Sequence, residues 1–255
     1  MMKRILFATD LDNTLLFSHR HRQPGDRCAE LWNGAEQGFF TPETVDLLPQ
    51  AARQVRLLPI TTRSIAQYQR IRWPAGALPR EALTANGAVL LRDGAIDRDW
   101  YDQSWELVRA HQGALRDLLG RISAREDVTS ARIVENMYVY AACSDAAAAE
   151  RCAAAWAQDA PFQMEVSGRK VYWFPPGIDK GTALRRAAGR YRPERILCAG
   201  DSVIDVPMLR RADLAMIPDG TLLPALPAER TLVCQENVRF PDFVLRTVLA
   251  QAGPG

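Results

Sequence analysis

The sequence predicts an α/β protein in which a parallel sheet, covered by helices on both faces, is interrupted by a smaller α+β domain. Three observations lead to this fold class. Short apolar runs end in polar turns and are followed by helical patterns, as in a parallel sheet whose strands alternate with helices. The middle of the chain changes to alternating strands and a hairpin signal. The 255 residues, 47% of them hydrophobic, are enough to bury a sizeable core.

The apolar runs are typical of buried parallel strands, because a strand covered on both faces is continuously hydrophobic. They span residues 5–8, 55–60, 195–199 and 214–217. Helical patterns occupy residues 42–54, 65–71, 180–190 and 206–211. In such sheets ligands bind outside the carboxyl ends of the strands. The polar turns that follow the four runs are therefore expected to converge on one site.

The middle of the chain is expected to form the inserted domain. Asp93-Gly94 between two short apolar runs indicates a hairpin, since Asp-Gly supplies the positive φ angles of a tight turn. Beyond it we expect a helix over 103–119, a strand over 131–142, and a helix over 145–158 with Asp145 as its N-cap. Two further strands are expected at 163–167 and 170–174. The predicted domains are a discontinuous main domain, residues 1–82 and 171–255, and an inserted domain, residues 83–170.

Composition excludes several classes of function. Lys and Arg total 32 and Asp and Glu 30, so no strong field indicates binding to nucleic acid or a membrane. The five cysteines are scattered without a CxxC pair, which predicts free thiols and a reducing compartment. The apolar stretch at 5–8 is too short for a signal peptide, and no run approaches the ~18 residues of a membrane helix. A cytoplasmic protein is expected, and the sequence identifies no protein partner.

Carboxylates follow two of the predicted strands. Asp10 and Asp12 lie in the turn after the first strand, and Asp201 and Asp205 follow the third. Carboxylates this close repel each other unless a cation lies between them or one holds a proton. Mg²⁺ prefers carboxylate oxygens together with water and phosphate oxygens. We expect Asp10 and Asp201 to bind Mg²⁺ directly, Asp12 through its carbonyl, and Asp205 directly or by orienting a bound water. Capped turns are the structural alternative.

Two further polar residues stand where a phosphoryl group could be held. Thr61 ends the second predicted strand, so its hydroxyl and the neighbouring N–H groups are available to phosphoryl oxygens. Lys180 lies in the first turn of a helix, where its charge opposes the helix dipole. Neutralising a nucleophilic carboxylate and a developing phosphoryl charge would explain this position. An ordinary strand end and a solvated lysine are the alternatives.

In their order along the chain, these residues resemble the four signature motifs of the haloacid dehalogenase (HAD) superfamily. The motifs are Asp10-x-Asp12-x-Thr14, Thr61, Lys180 and Gly200-Asp201-x3-Asp205. Asn86-Gly87-Ala88, and the Lys-Gly pair after Gly177-Ile178-Asp179, resemble the Cof-type branch. That branch has a Rossmann-like core with a class IIB cap between the second and third motifs, and it includes relatives of sucrose-phosphate phosphatase. The predicted inserted domain occupies the position of the cap.

The resemblance implies a Mg²⁺-dependent phosphohydrolase acting on a small phosphomonoester, such as a sugar or polyol phosphate. Asp10 would be the nucleophile that forms an aspartyl-phosphate. Asp12 would be the general acid for the leaving oxygen and then the base for water, and an acid at this position separates phosphatases from dehalogenase-type members. Thr61 and Lys180 would bind the phosphoryl group, and Asp201 would complete the magnesium site. Expected substrate contacts are Thr61, Thr62, Arg63, Asn86, Arg169 and Lys180.

Two positions depart from the motifs of that branch, and the substrate side is less defined. Thr62 stands where glycine is usual, which places a Cβ near the phosphate loop, and Ile204 stands where asparagine is usual.

The alternative functions are a phosphomutase or phosphotransferase acting on sugar phosphates, and a non-catalytic binding module. Residues of the inserted domain and of its exit suit a polyhydroxylated, anionic leaving group, although an ordinary solvated sheet face explains them equally well: Arg132, Asn136, Tyr138 and Tyr140 in the domain, and Arg169, Lys170 and Tyr172 near its exit. The basic stretch at 19–22 is open to the same two interpretations, substrate binding or a solvated loop.

Overall fold

The computed structural model describes residues 5–156 and 161–253. The strands are β1 (Ile5–Thr9), β2 (Phe17–Ser18), β3 (Arg27–Trp32), β4 (Ala35–Phe40), β5 (Arg56–Pro59), β6 (Glu81–Thr84), β7 (Val89–Arg92), β8 (Ala95–Ile96), β9 (Val128–Val134), β10 (Tyr138–Cys143), β11 (Gln163–Ser167), β12 (Lys170–Phe174), β13 (Arg195–Ala199), β14 (Leu214–Ile217) and β15 (Thr231–Val233). The α-helices are α1 (Pro42–Gln54), α2 (Ile65–Gln69), α3 (Arg98–Val108), α4 (Gln112–Ser123), α5 (Ala146–Ala154), α6 (Lys180–Tyr191), α7 (Val206–Leu209) and α8 (Phe240–Ala252). Short 3-10 helices lie at His19–His21, Ala85–Gly87, Arg109–His111, Val203–Asp205, Gly220–Ala225 and Ala228–Arg230.

The central sheet is parallel, with the strand order β15-β14-β13-β1-β5. β1 pairs with β13 on one side and with β5 on the other. Successive side chains of a strand point to opposite faces, so Phe7 packs with residues of α1 and α8, whereas Leu6 and Ala8 pack with residues of α6 and α7. Both faces are therefore covered by helices, and the predicted α/β fold class is confirmed.

An antiparallel meander of β6, β7 and β8 continues the sheet beyond β5. The backbone N–H of Thr61 donates to the carbonyl of Leu83 at 2.9 Å, next to a parallel bridge between Ile60 and Leu83. The two-residue turn between β7 and β8 is Asp93-Gly94, with φ values of 47° and 82°, so the predicted hairpin is confirmed. The predicted domain boundary at residue 83 falls inside β6 and stays a prediction.

The inserted region forms an antiparallel sheet with the strand order β11-β12-β10-β9. We call this sheet and the helices α4 and α5 the cap. One face of the sheet packs on these helices, with Leu115 and Cys152 contacting Val139 and Trp173 within one apolar cluster. The other face lies over the carboxyl edge of the central sheet, where the hydroxyl of Tyr138 donates to the carbonyl of Thr62 at 2.6 Å.

Two expected elements of this region are wrong in their bounds. The helix expected over 103–119 is two helices, α3 and α4, separated by the 3-10 turn Arg109–His111. The strand expected over 131–142 is the hairpin of β9 and β10, which reverses at Glu135 and Asn136 with φ values of 47° and 64°. Hydrophobic alternation continues through this reversal, and asparagine enters the left-handed region at low cost. Periodicity alone therefore does not reveal the turn.

The remaining predictions for the cap and for the cysteines are mostly confirmed. Asp145 caps α5 by accepting a hydrogen bond from the N–H of Ala148 at 2.7 Å. The helix expected over 145–158 ends at Ala154, and residues 157 and 158 lie outside the described residues. All five cysteines are free thiols, three of them buried. Within residues 5–156 and 161–253, none of the helices combines the length and the apolar character needed to cross a membrane.

An antiparallel sheet of β2, β4 and β3, here called the flap, was not predicted. It follows directly on the segment that carries Asp10 and Asp12. β3 and β4 are joined by Asn33-Gly34, with φ values of 49° and 79°. The flap brings Glu30, which is 3% exposed, and Trp32, which is 52% exposed, to the edge of the central sheet where the motifs lie.

Candidate active site

The carboxyl ends of the central strands bring the predicted motif residues together. Asp10 directly follows β1, and its backbone N–H donates to the carbonyl of Ala199 in β13 at 2.9 Å. Asp201 follows β13 and Thr61 follows β5, so all three residues lie at the same edge of the sheet. The Asp10 side chain is nearly buried, with 7% of the residue exposed. Three of the four strand ends expected to converge are thus at one edge, and a contribution from the turn after β14 stays a prediction.

Lys180 lies between two carboxylates. Its Nζ is 2.6 Å from Oδ1 of Asp10 and 2.6 Å from Oδ1 of Asp205, and its side chain is 1% exposed. Burial disfavours the charged amine, but the charges of Asp10 and Asp205 outweigh this effect and raise the pKa of Lys180. A buried, protonated lysine in contact with the predicted nucleophile excludes the alternative of a solvated lysine.

Asp205 is fully buried and its oxygens are occupied. Oδ1 accepts from Lys180, while Oδ2 accepts from the backbone N–H groups of Asp201 at 3.1 Å and Ser202 at 3.0 Å, and from the Ser202 hydroxyl at 3.1 Å. Gly200 permits this packing, because a Cβ there would lie 2.4 Å from the Cβ of Asp205. Asp205 thus holds both Lys180 and the loop that carries Asp201; its direct contact with a metal stays a prediction.

Asp10, Asp201 and Asp205 form a cluster of acids that could hold a metal ion. Their nearest carboxylate oxygens all lie within 4.8 Å of one another. Burial raises the pKa of Asp10; Lys180 opposes this, and Asp205 and Asp201 reinforce it. Burial and the charge of Asp205 raise the pKa of Asp201 to about 6. One lysine does not balance three carboxylates, and hard oxygen donors with excess negative charge fit Mg²⁺.

Asp201 is oriented by the turn that follows β1. The amide of Asn13 donates to Oδ2 of Asp201 at 3.3 Å, and the hydroxyl of Thr14 donates to Oδ1 at 3.4 Å. Asn13 has a φ of 58°, in the left-handed region that asparagine tolerates. Ile204 packs into the apolar core. Position 204 therefore offers no polar side-chain contact to the acid cluster.

The side chain of Asp12 is turned away from the acid cluster and pairs with Arg63. Nε of Arg63 donates to Oδ2 of Asp12 at 3.0 Å, and Nη2 donates to Oδ1 at 2.7 Å. Burial acts against ionisation, but the charge and hydrogen bonds of Arg63 lower the pKa of Asp12 to about 2. The Asp12 side chain is 42% exposed. It is an oriented anion that is accessible to a substrate.

Glu30 of the flap supports this pair. Oε2 of Glu30 accepts from Nη1 of Arg63 at 2.8 Å, and Oε1 accepts from Nε of Arg70 at 2.9 Å. The Glu30 side chain is only 4% exposed. Glu30 was missed in the sequence. A signal for it was present, namely a lone acid between the apolar residues Ala29 and Leu31, a position where an unpaired charge would be costly.

Replacing Glu30 by Gln should lower the free energy of unfolding by about 3 kcal/mol, because two arginines lose the buried carboxylate that pairs with them. Urea denaturation measures the loss. Glu36→Gln in the same flap is the matched control, since Glu36 pairs with Arg22 at the surface and its side chain is 44% exposed. That change should cost less than about 1 kcal/mol. Equal effects of the two substitutions would contradict the bridging role of Glu30.

The loop after β5 contacts both Arg63 and the cap. Thr61 is fully buried, and its hydroxyl accepts from the backbone N–H of Arg63 at 3.2 Å. Thr62 does not have a positive φ, so this turn does not require glycine, and the departure from the motif carries no backbone strain. The carbonyl of Thr62 accepts from Tyr138. These contacts are structural, and the contacts of Thr61, Thr62 and Arg63 with substrate stay predictions.

Asn86 joins two of the motif segments. Its backbone N–H donates to the carbonyl of Thr61 at 2.8 Å, and its side-chain amide donates to the carbonyl of Ile178 at 3.2 Å, just before Lys180. Asn86 is 2% exposed. A Cβ on Gly87 would lie 2.2 Å from that of Ala183 in α6, so glycine permits the close approach of this helix. Asn86 therefore fixes the relative position of Thr61 and Lys180, while its contact with substrate stays a prediction.

A cleft of about 620 Å³ lies between the flap, the Arg63 loop and the cap. Asp12 and Arg63 line one side, with Trp32 of the flap beside them. The cap contributes aromatic and basic side chains to the opposite side: Arg132, Tyr138, Tyr140, Arg169, Lys170 and Tyr172. The basic stretch at 19–22 and Asn136 are not among the lining residues.

Comparison with known proteins finds this fold in solved structures. The sucrose-phosphatase of Synechocystis, solved in complex with sucrose and phosphate, is 18% identical with a TM-score of 0.60, and the match covers 98% of both chains. The C-terminal domain of a C. albicans trehalose-6-phosphate phosphatase is 16% identical with a TM-score of 0.60, over 99% of this chain and 93% of that one. A haloacid dehalogenase-like hydrolase of B. subtilis is 15% identical with a TM-score of 0.56, over 94% and 98%.

At the level of sequence, no protein-family model matches the chain, and no curated protein matches it significantly. The structural matches are below 20% identity and near full length. They show the fold: the chain has the haloacid dehalogenase-like fold, with a Rossmann-like core and an inserted cap. The resemblance read from the four motifs is confirmed at this level.

Proposed function

We propose that the protein is a Mg²⁺-dependent phosphohydrolase that removes phosphate from a small phosphomonoester through an aspartyl-phosphate on Asp10. The observation that carries the proposal is the contact of buried Lys180 with Asp10 in the acid cluster that contains Asp201. Asp12, two residues after Asp10, lines the neighbouring cleft. Two proteins that share the fold are named as phosphatases of sucrose phosphate and trehalose 6-phosphate. Their names support a sugar or polyol phosphate as the substrate.

Asp10 is the nucleophile in this proposal. One of its oxygens forms a bond to phosphorus while the bond from phosphorus to the leaving oxygen breaks. Lys180 contacts Asp10 at 2.6 Å and is placed to neutralise the charge of the phosphoryl oxygens during transfer. Thr61, at the end of the neighbouring strand, contributes its hydroxyl to the same phosphoryl group. Burial of this end of the site keeps water from the attacking carboxylate.

Asp12 moves the proton. Because Arg63 keeps Asp12 ionised in the free protein, this role requires Asp12 to bind a proton in the substrate complex. It gives that proton to the leaving oxygen in the first step, and in the second step it takes one from the water that attacks the aspartyl-phosphate. Inorganic phosphate and free Asp10 result. The two hydrogen bonds from Arg63 hold the Asp12 carboxylate in a fixed orientation at the cleft, so the same group is in place for both steps.

Magnesium fits the oxygen donors of the acid cluster. Asp10 and Asp201 are the expected side-chain ligands, with the backbone carbonyl of Asp12, while Asp205 orients the Asp201 loop or a bound water. When bound, Mg²⁺ polarises the phosphoryl group and balances the excess negative charge of the cluster. Asn13 and Thr14 restrict the Asp201 carboxylate before any metal binds.

A phosphoester screen tests the proposal. Incubation with p-nitrophenyl phosphate and a panel of sugar phosphates should release inorganic phosphate with Mg²⁺ and stop when EDTA removes the metal. Readdition of Mg²⁺ in excess of the chelator should restore the rate, which controls for inhibition by EDTA itself. Isomerisation without phosphate release would instead indicate a phosphomutase. Binding without turnover would indicate a non-catalytic module.

A further inference from the structure

The cleft carries more positive charge than the transfer of one phosphoryl group uses. Five basic side chains line it, against two acidic ones, Asp12 and Glu30. Both acids are already engaged by Arg63 and Arg70. Three bases are left that contact no carboxylate within 4.0 Å among residues 5–156 and 161–253: Arg132, Arg169 and Lys170.

These bases lie together on the cleft face of the cap sheet. Arg132 in β9 is paired with Tyr140 in β10, and Tyr140 is paired with Tyr172 in β12, so the three side chains share a face. Lys170 stands two residues before Tyr172, which places it on the same face. Arg169 immediately precedes it in the turn and also lines the cleft. We call this group of bases and tyrosines the cap shelf.

Aromatic rings support the cap shelf. The guanidinium of Arg132 lies over the ring of Tyr140 at 4.6 Å, and the ring centroids of Tyr140 and Tyr172 are 5.5 Å apart. Stacking restricts the arginine and leaves the edge of its guanidinium free to donate hydrogen bonds. Glu165 is paired with Tyr172 on the sheet edge, but it accepts from Gln163 and does not line the cleft.

We propose that the cap shelf binds a second anionic group, a carboxylate or a phosphate, carried by the leaving group of the substrate. This inference rests on the proposed function and narrows its substrate class to phosphomonoesters with two anionic ends. Like charges gathered in a concave site attract an anion more strongly than the same charges spread over a surface. The planar fork of arginine matches the oxygens of both carboxylate and phosphate.

Two matched substrate pairs test the proposal. 3-Phosphoglycerate carries a carboxylate where glycerol 3-phosphate carries a hydroxymethyl group. Fructose 1,6-bisphosphate carries a second phosphate that fructose 6-phosphate lacks. The doubly anionic member of at least one pair should have a kcat/KM about tenfold higher or more. The pair with the larger ratio identifies the anion. Added salt should reduce the ratio, because the cap shelf is open to solvent.

Removing the bases should remove the preference. In the double variant Arg132→Gln/Lys170→Gln the ratio should fall to about one. Arg116→Gln is the matched control: Arg116 is exposed on α4, the helix that packs on the opposite face of the cap sheet, and its loss should leave the ratio unchanged. A wild-type ratio near one for both pairs, or a preference that survives the double substitution, would overturn the proposal.

Failure of the proposed function gives a different result. If the wild-type chain releases no phosphate from p-nitrophenyl phosphate or from any of the four compounds, the phosphatase assignment fails. Calorimetric titration then tests anion binding by the cap shelf independently of turnover. Binding of 3-phosphoglycerate or the bisphosphate should still be about tenfold tighter than that of its partner, and the double variant should lose the difference. Equal binding within both pairs would overturn the inference.

Discussion

Replacing Asp10 by Asn is expected to lower kcat for p-nitrophenyl phosphate by about 10⁴-fold or more, because an amide is a far weaker nucleophile than a carboxylate. The change is nearly isosteric. Lys180 keeps its contact with Asp205 at 2.6 Å, so the lysine does not lose its only counter-charge. The fold should therefore persist, and the loss should appear in kcat. Steady-state phosphate release under saturating Mg²⁺ measures it.

Asp242→Asn is the matched control for this prediction. Asp242 is also a nearly buried carboxylate, 8% exposed, and it accepts a hydrogen bond from the hydroxyl of Thr44 at 3.2 Å, away from the cleft. This variant should lose some stability and keep its turnover. Acid quenching during turnover should trap covalent phosphate on the wild-type chain and none on Asp10→Asn. Unchanged turnover in a folded Asp10→Asn variant would show that the nucleophile lies elsewhere.

The central sheet could be predicted because its sequence signal is local. The strands β13 and β14 have the bounds expected from their apolar runs, since a strand covered on both faces must be hydrophobic throughout. The flap escaped prediction for the opposite reason. Glu30 points inward to two arginines, which breaks the alternation that would have revealed β3. Asn33-Gly34 is a strong hairpin signal by itself, and it was the one local sign of the flap.

Some contacts of the candidate site could likewise be predicted from sequence, and others could not. Asp10, Lys180 and Asp201 could be placed together because each stands at the end of a strand or the start of a helix whose position follows from topology. The pairing of Asp12 with Arg63, and of Arg63 with Glu30, could not be predicted, since the three residues come from different elements and the contacts depend on side-chain orientation. The four hydrogen-bond donors to the Asp205 carboxylate could not be predicted from sequence either, although Gly200 leaves room for the Asp205 side chain.

The second large effect is expected from the loss of Lys180, the counter-charge of Asp10 and Asp205. Replacing it by Met should lower the free energy of unfolding by about 3–5 kcal/mol, because Asp10 and Asp205 lose the cation that pairs with them in a buried site. The kcat should also fall, by about 10³-fold, since no charge then faces the phosphoryl oxygens. Methionine fills most of the volume, so the loss is electrostatic. Urea denaturation and phosphate release measure the two effects separately.

A second substitution separates charge from packing. In Lys180→Met/Asp205→Asn one of the stranded carboxylates is removed, so much of the lost stability should return while kcat stays low, because the lysine is still absent. Arg246→Met is the surface control: Arg246 pairs with Glu43 and its side chain is 57% exposed, so its loss should cost less than about 1 kcal/mol. A Lys180→Met variant as stable as the wild type would contradict a charged lysine between the two acids. Recovery of kcat in the double variant would contradict a direct role for Lys180 in phosphoryl transfer and leave it with a structural one.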